Sequence, residues 1–251
     1  MKRTQVSTID QLDFERHDWR DISEFLRPCK AYKKGRTGIE YLNISTSFDI
    51  ESTSFFRHKE TGEIIDTKKA QGIPDNELRK KWEKVTIMYA WVFCIYGHAF
   101  VGRTWEEFKE LTSLLIDYFE LNEKKILVVG VHNLAYEFQF IRKRFAWSNV
   151  FAVRDRTPIY ARTESGIEFR CTLLLSGYSL AKVGEHLQSY KIKKKVGDLD
   201  YLKLRHSQTP LTDEEWGYIV NDGLIVWAYL QELIDKYKRI VWLPMTKTGF
   251  V

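Results

Sequence analysis

The chain has 251 residues, 44% of them hydrophobic and 14% aromatic, which describes a globular protein with one large core or two small ones. A formal net charge of +5 permits a polyanionic partner without requiring one. Cys29, Cys94 and Cys171 are too few and too scattered for a disulfide framework or a cysteine metal site, the polar N-terminus is no secretory signal, and the uncharged run 85–100 is too short to span a bilayer.

Residues 1–40 are polar with little periodicity and read as an N-terminal extension, with a short helix at Asp18–Leu26 ended by Arg27-Pro28. The first strand is expected at about 42–50. Its two-residue period sends Ile44, Phe48 and Ile50 one way and Ser45, Ser47, Asp49 and Glu51 the other. Two carboxylates then share one strand face about 6.5–7 Å apart at the backbone. Like charges that close raise each other's pKa unless a cation lies between them, and hard divalent ions take such oxygen ligands. Taken alone, the same tripeptide also fits a solvated face on an edge strand. Farther on, 55–58 and 63–65 bracket Lys59-Glu60-Thr61-Gly62 as a hairpin, and Thr67–Lys84 reads as a loop with at most a helical turn.

Val85–Tyr96 has the pattern of a buried strand, turned by Gly97-His98 into a partner at Ala99–Gly102. Thr104-Trp105-Glu106-Glu107 is a capping box that opens a helix to about Leu121. Ile126–Val131 is a short buried strand running into His132-Asn133-Leu134 and a helix over Ala135–Phe145. Asn133 is placed to cap that helix and Glu137 to meet its dipole, a role that needs no metal. Three short strands follow near 150–153, 159–162 and 167–172, then a helix capped by Ser179 and a basic loop, Lys191–Tyr201. A second capping box, Thr212–Glu215, opens a long helix from Asp213 to about Tyr237. Tyr218 and Asp222 share one face of it, about 6 Å apart along the axis, and its apolar residues leave Asp222 half-buried. Irregular alternation of strands and helices predicts an α/β protein, a mixed sheet with helices on its faces and the last helix beside the first strand.

An Asp-x-Glu on an early strand, an acid on a middle helix and Tyr-x-x-x-Asp on a late helix supply four carboxylates from three segments, the ligand set of a two-ion phosphodiester site. With these motifs in this order, the chain resembles the 3′–5′ proofreading exonuclease domain of family B DNA polymerases, within the DEDD exonucleases of ribonuclease H-like fold. More narrowly it resembles the protein-primed polymerases of bacteriophages. The carriers are Phe48-Asp49-Ile50-Glu51-Ser52, His132–Phe138, Thr172-Leu173, Gly197-Asp198-Leu199-Asp200-Tyr201 and Tyr218–Asp222. The resemblance implies an exonuclease domain over 41–241, with 242–251 starting a linker to a polymerase domain. It implies two divalent ions, Mg²⁺ or Mn²⁺, held by Asp49, Glu51 and Asp222, with Glu137 acting through water. Tyr218 would orient the attacking water. Ser52, His132, Asn133, Tyr136, Phe140, Thr172, Leu173 and Tyr201 would hold the single-stranded DNA 3′ end. A terminal priming protein becomes an expected partner and a membrane does not; the expected location is the cytoplasm, that of a bacterial host for a phage-encoded chain.

Two positions depart from the family pattern. Glu137 stands where the family has Asp, and Val196 stands where it has Lys, with Lys195 one residue earlier. Lys195 is therefore read either as a contact to the leaving phosphate or, with Lys191, Lys193 and Lys194, as part of a solvated basic loop. Two other functions stay open on the residues alone: a stand-alone DEDD ribonuclease that trims oligonucleotides, and a non-catalytic module binding single strands or the priming protein.

Overall fold

The computed structural model of the chain describes residues 16–192, 194 and 202–250, and the structural statements concern those residues. β1 (Arg16–Asp18) leads through a 3-10 turn into α1 (Ile22–Phe25), and β2 (Ala31–Lys33) folds back on β3 (Glu40–Leu42). β4 (Thr46–His58), β5 (Ile64–Asp66), the short helices α2 (Thr67–Ala70) and α3 (Asp75–Lys81), β6 (Trp82–Ile95) and β7 (His98–Gly102) follow. Next come α4 (Trp105–Phe119), β8 (Lys125–Val131), α5 (Leu134–Ile141), β9 (Trp147–Arg154), β10 (Thr157–Thr163) and β11 (Ile167–Cys171). α6 (Thr172–Ser176), α7 (Leu180–His186) and the long α8 (Asp213–Tyr237) complete the chain's main elements. Both capping boxes form as the sequence predicts.

The strands make one mixed sheet in the order β1-β7-β6-β4-β8-β11-β10-β9, with β5 on β4 and the β2–β3 hairpin on β8. β4 is its centre, antiparallel to β6 and parallel to β8. Alternation along β4 sorts the two faces. Phe48 points towards α4, where its ring stacks on Phe108 at 4.3 Å, in a core that also takes Trp91, Phe93, Val129 and Val131. The opposite face, with Val92 and Cys94, is covered by Val183 of α7 and Ile219, Leu224 and Ile225 of α8.

Small residues let α8 approach β4 closely. Ser45 Oγ donates to the Trp227 carbonyl and Ser47 Oγ to the Gly223 carbonyl, each at 2.7 Å. A Cβ on Gly223 would stand 2.8 Å from Val92 Cγ1, so glycine sets the helix–sheet distance there. The expected placement of the last helix beside the first strand is met.

Several boundaries differ from expectation. The first strand is split at Asn43–Ser45 into β3 and β4, and β4 continues to His58. Asn43 causes the break by turning to the end of α8: its Oδ1 accepts from the Ile240 N–H at 2.8 Å and its Nδ2 donates to the Lys238 carbonyl at 3.1 Å. α5 stops at Ile141 rather than Phe145, because the chain turns there to set Phe145 against Phe108, Trp147 and Phe169. Within the first forty residues, β1 joins the sheet beside β7, and Trp19 and Ile22 enter the main core. Among the described residues no helix is long and apolar enough to cross a membrane.

Candidate metal centre

Asp49 and Glu51 leave β4 on the face that α8 covers, and Asp222 comes down from α8 one residue before the glycine that brings helix and strand together. One ligand oxygen from each of the three lies within 4.8 Å of the others. Immediately after Glu51 the β4–β6 register slips: Glu51 faces Ala90 but Ser52 faces Met88, so Tyr89 bulges out and the pair bends beside the acids. Tyr218, one helical turn before Asp222, is buried and hydrogen-bonds the Asp222 carboxylate.

Burial and mutual repulsion make these acids reluctant to ionise. Asp49 is pushed well above the usual carboxylate range by burial, then by Glu137, Glu51 and Asp222. Glu51 is raised to about 7 by burial and Asp222, against the pull of Lys194 and Arg205. Asp222 is raised by burial, although Lys194 and Tyr218 oppose the shift. Glu137 stands outside the tight trio but shares its field: burial and Glu51 raise it to about 8, against the bond from its own backbone N–H. Among the described residues, Glu137 Oε2 and Asp222 Oδ1 are both buried without a hydrogen-bond partner.

A divalent cation fits this donor set. Crowded hard-oxygen ligands, raised pKa values and two buried carboxylate oxygens without partners among the described residues are the features that such an ion would satisfy. Asp49, Glu51 and Asp222 could hold it.

The other predicted residues gather round this centre. Ser52 Oγ is hydrogen-bonded to the Tyr136 hydroxyl, whose ring lies 5.3 Å from that of Phe140. His132 Nδ1 and Thr172 Oγ1 are 3.2 Å apart, and burial, then Lys194, lowers the imidazole to about 4, so it is neutral. Leu173 lies on α6 beside Thr172, packed against the α4-side core. Asn133 precedes α5 in a left-handed conformation, φ 68°, and its side chain does not cap the helix, contrary to expectation. Asn is among the few residues that adopt this conformation readily, and the conformation turns its amide away from the capping position. Lys195 and Tyr201 lie outside the described residues.

Sequence reasoning missed two cations. Lys194 Nζ donates to Asp222 Oδ2 at 3.0 Å and lies 5.4 Å from the Tyr218 ring, so this lysine of the basic loop is half-buried and turned to the acids. Arg205 is buried against Glu215, Nη2 to Oε1 2.6 Å, and its charge acts on Glu51. In a run of lysines nothing local marks the one that turns inward, and Arg205 carried no motif.

No protein-family model matches the sequence, and no curated protein matches it. Among solved structures, phi29 DNA polymerase with primer-template DNA and incoming nucleotide aligns at a TM-score of 0.55 and 17% identity, over 81% of this chain and 32% of that one. The same polymerase with single-stranded DNA aligns at 0.52 and 17%, over 81% and 33%. The catalytic core of RRP6 from Trypanosoma brucei aligns at 0.41 and 12%, over 79% and 43%. This chain thus spans about a third of the length of the polymerase it resembles. The likeness is one of fold, and it bears out the expected ribonuclease H-like mixed sheet flanked by helices.

Proposed function

We propose that the chain is a metal-dependent 3′–5′ exonuclease that trims single-stranded DNA ends and releases nucleoside 5′-monophosphates. The observation that carries this reading is the meeting of Asp49, Glu51 and Asp222 within 4.8 Å, beside Tyr218 and the unsatisfied Glu137. Support comes from the fold shared with a polymerase that has been solved with primer-template and single-stranded DNA.

Two ions, Mg²⁺ or Mn²⁺, held by Asp49, Glu51 and Asp222 with Glu137 reached through water, would supply an activated water and neutralise the charge developing on the phosphate. The protein's own groups do the rest. Tyr218, whose hydroxyl bonds Asp222, would orient that water towards the terminal phosphodiester. The water oxygen bonds to phosphorus, the bond from phosphorus to the 3′ oxygen breaks, and a proton ends on the new 3′-hydroxyl. Lys194, bonded to Asp222 Oδ2, brings a positive charge of the chain's own to the site. Asn133 and the His132–Thr172 pair offer hydrogen bonds to sugar and phosphate oxygens, and Tyr136 and Phe140 offer faces to the bases.

The test is degradation of a 3′-labelled single-stranded DNA in Mg²⁺ or Mn²⁺, with the matched RNA alongside. Wild type should release labelled mononucleotide, faster from DNA, and Asp49→Ala should not. Equal degradation by the two proteins would remove the site assignment, and a preference for RNA would remove the substrate.

A further inference from the structure

Past Ser52 the β4–β6 pair outruns the sheet. Thr53–His58 stay paired with Trp82–Ile87 and carry β5, α2 and α3 as an arm that starts at the catalytic acids. The face of the arm that begins with Ser52 continues through Ser54, whose hydroxyl bonds the cross-strand Thr86 hydroxyl at 2.9 Å, to Lys84 opposite Phe56. At its root lies a cleft of about 350 Å³ between Tyr136 of α5 and Thr67 of α2, lined by Glu51, Ser52, Ser54 and Lys84.

The chemistry of this cleft is specific. It opens directly from Glu51, and beyond that acid its polar groups are hydroxyls and one ammonium. The neighbouring charges are already engaged: Arg57 pairs with Glu83 at 2.8 Å, and Asp66 turns to cap α2 by accepting from the Lys69 N–H at 2.7 Å. Lys84 is exposed and forms no ion pair among the described residues. Tyr136 is 42% exposed and borders the cleft. Hydroxyls, an uncommitted lysine and an open aromatic ring suit one unit of a polynucleotide strand: phosphate and sugar for the polar groups, base for the ring. The volume is at the lower end for small-molecule sites and far too small for a duplex.

We propose that this cleft is a further nucleotide subsite, in which Lys84, Ser54 and Thr67 hold the phosphate and sugar of the strand upstream of the terminal dinucleotide. The proposal rests on the exonuclease reading. Ser52 and Phe56, the residue that Lys84 faces, are four residues apart along β4, about 13 Å. That span equals roughly four stacked nucleotides at 3.4 Å each, so substrates gain from length up to about four nucleotides and little beyond.

The test compares kcat/KM for a 3′-labelled DNA dodecanucleotide with that for a dinucleotide, in wild type, Lys84→Ala, Lys84→Glu and Lys84→Arg. Expected is a fall in the long-to-short ratio, about five- to tenfold for Lys84→Glu at low salt, carried by KM and restored by arginine. In parallel, dodecanucleotide binding to the Asp49→Ala chain without metal should lose about 0.7 from its log–log salt slope when Lys84→Ala is added, one phosphate contact on a single strand. An unchanged ratio and an unchanged slope would overturn the subsite. Should wild type degrade nothing while the slope still depends on Lys84, the exonuclease reading falls and the subsite stands as a strand-binding site.

Discussion

A single acid on β11 and a cluster of acids gathered over β4 are opposites. Glu168 on β11 is fully buried, yet its two oxygens take Arg162 Nε at 2.7 Å and Arg170 Nε at 2.6 Å, and Arg162 reaches on to the Tyr41 hydroxyl. Burial pushes its carboxyl up, but Arg170 and Arg162 outweigh that and hold it below the usual range. At Asp49, Glu51, Asp222 and Glu137 the balance runs the other way: burial raises all four, repulsion adds to it at Asp49, Glu51 and Glu137, and among the described residues two oxygens are left without partners. The Glu168 carboxylate is fully paired within the chain, although Arg170 Nη2 is buried without a hydrogen-bond partner among the described residues. The acids around Asp49 make a donor set that a cation from outside would satisfy, and this difference in pairing, more than burial or acid count, is what marks them as the candidate site.

The largest contrast lies in activity. Asp222→Asn keeps the shape of the site and removes a ligand charge. Degradation of single-stranded DNA should fall on the order of 10³-fold or more, while the metal-free protein melts no lower than wild type because one repulsive charge is gone. A strongly destabilised Asp222→Asn would mean that this cluster is structural after all.

Next comes stability at the other pole. Glu168→Ala leaves Arg162 and Arg170 facing each other without a counter-charge, a change that costs about 3–5 kcal/mol when a buried pair is broken. Urea unfolding should show a loss of that size, and a change under about 1 kcal/mol would contradict the account of Glu168 as a saturated centre.

Cation binding should mark only the catalytic acids. Ligand binding to the native state adds RT ln(1 + [L]/Kd), about 2.7 kcal/mol at one hundred times Kd. Glu51 and Glu137 must lose protons that they hold up to about pH 7 and about pH 8, so the gain should be larger at pH 8 than at pH 6. Thermal melts with and without Mn²⁺ at the two pH values give the answer, and Asp49→Ala should abolish the effect. A shift of equal size in that variant would place the ion elsewhere.

Much of this arrangement was legible from residue order. The alternation through Ser45, Ser47, Asp49 and Glu51 marks both the face that α8 covers and the acids it carries, and the capping boxes at Thr104 and Thr212 fix the starts of α4 and α8. Local pattern does not report partners that are distant in sequence. Asn43 breaks its strand because of a bond to Ile240, and Lys194 turns inward because of Asp222. Strands of three residues, such as β1, β2 and β3, are too short to show a period at all.

The smallest effect is the most diagnostic, because its pH dependence runs in opposite directions at the two sites. A carboxyl whose folded pKa lies above its unfolded value makes the native state bind more protons, so stability falls as pH rises between the two. For Glu137 that window runs from about 4.5 to about 8. Glutamine imitates the protonated form, so Glu137→Gln should match wild type near pH 5 and exceed it by about 1–2 kcal/mol above pH 8, without metal. Glu168 obeys the opposite rule: its depressed pKa gives stability that is present above the unfolded value and lost on acidification, so Glu168→Gln should be costly near neutrality and less so towards pH 3. Denaturant midpoints across pH therefore carry opposite slopes for the two glutamines. Parallel slopes would show that Glu137 finds its counter-charge within the chain, and the case for an external cation would rest on Asp49, Glu51 and Asp222 alone.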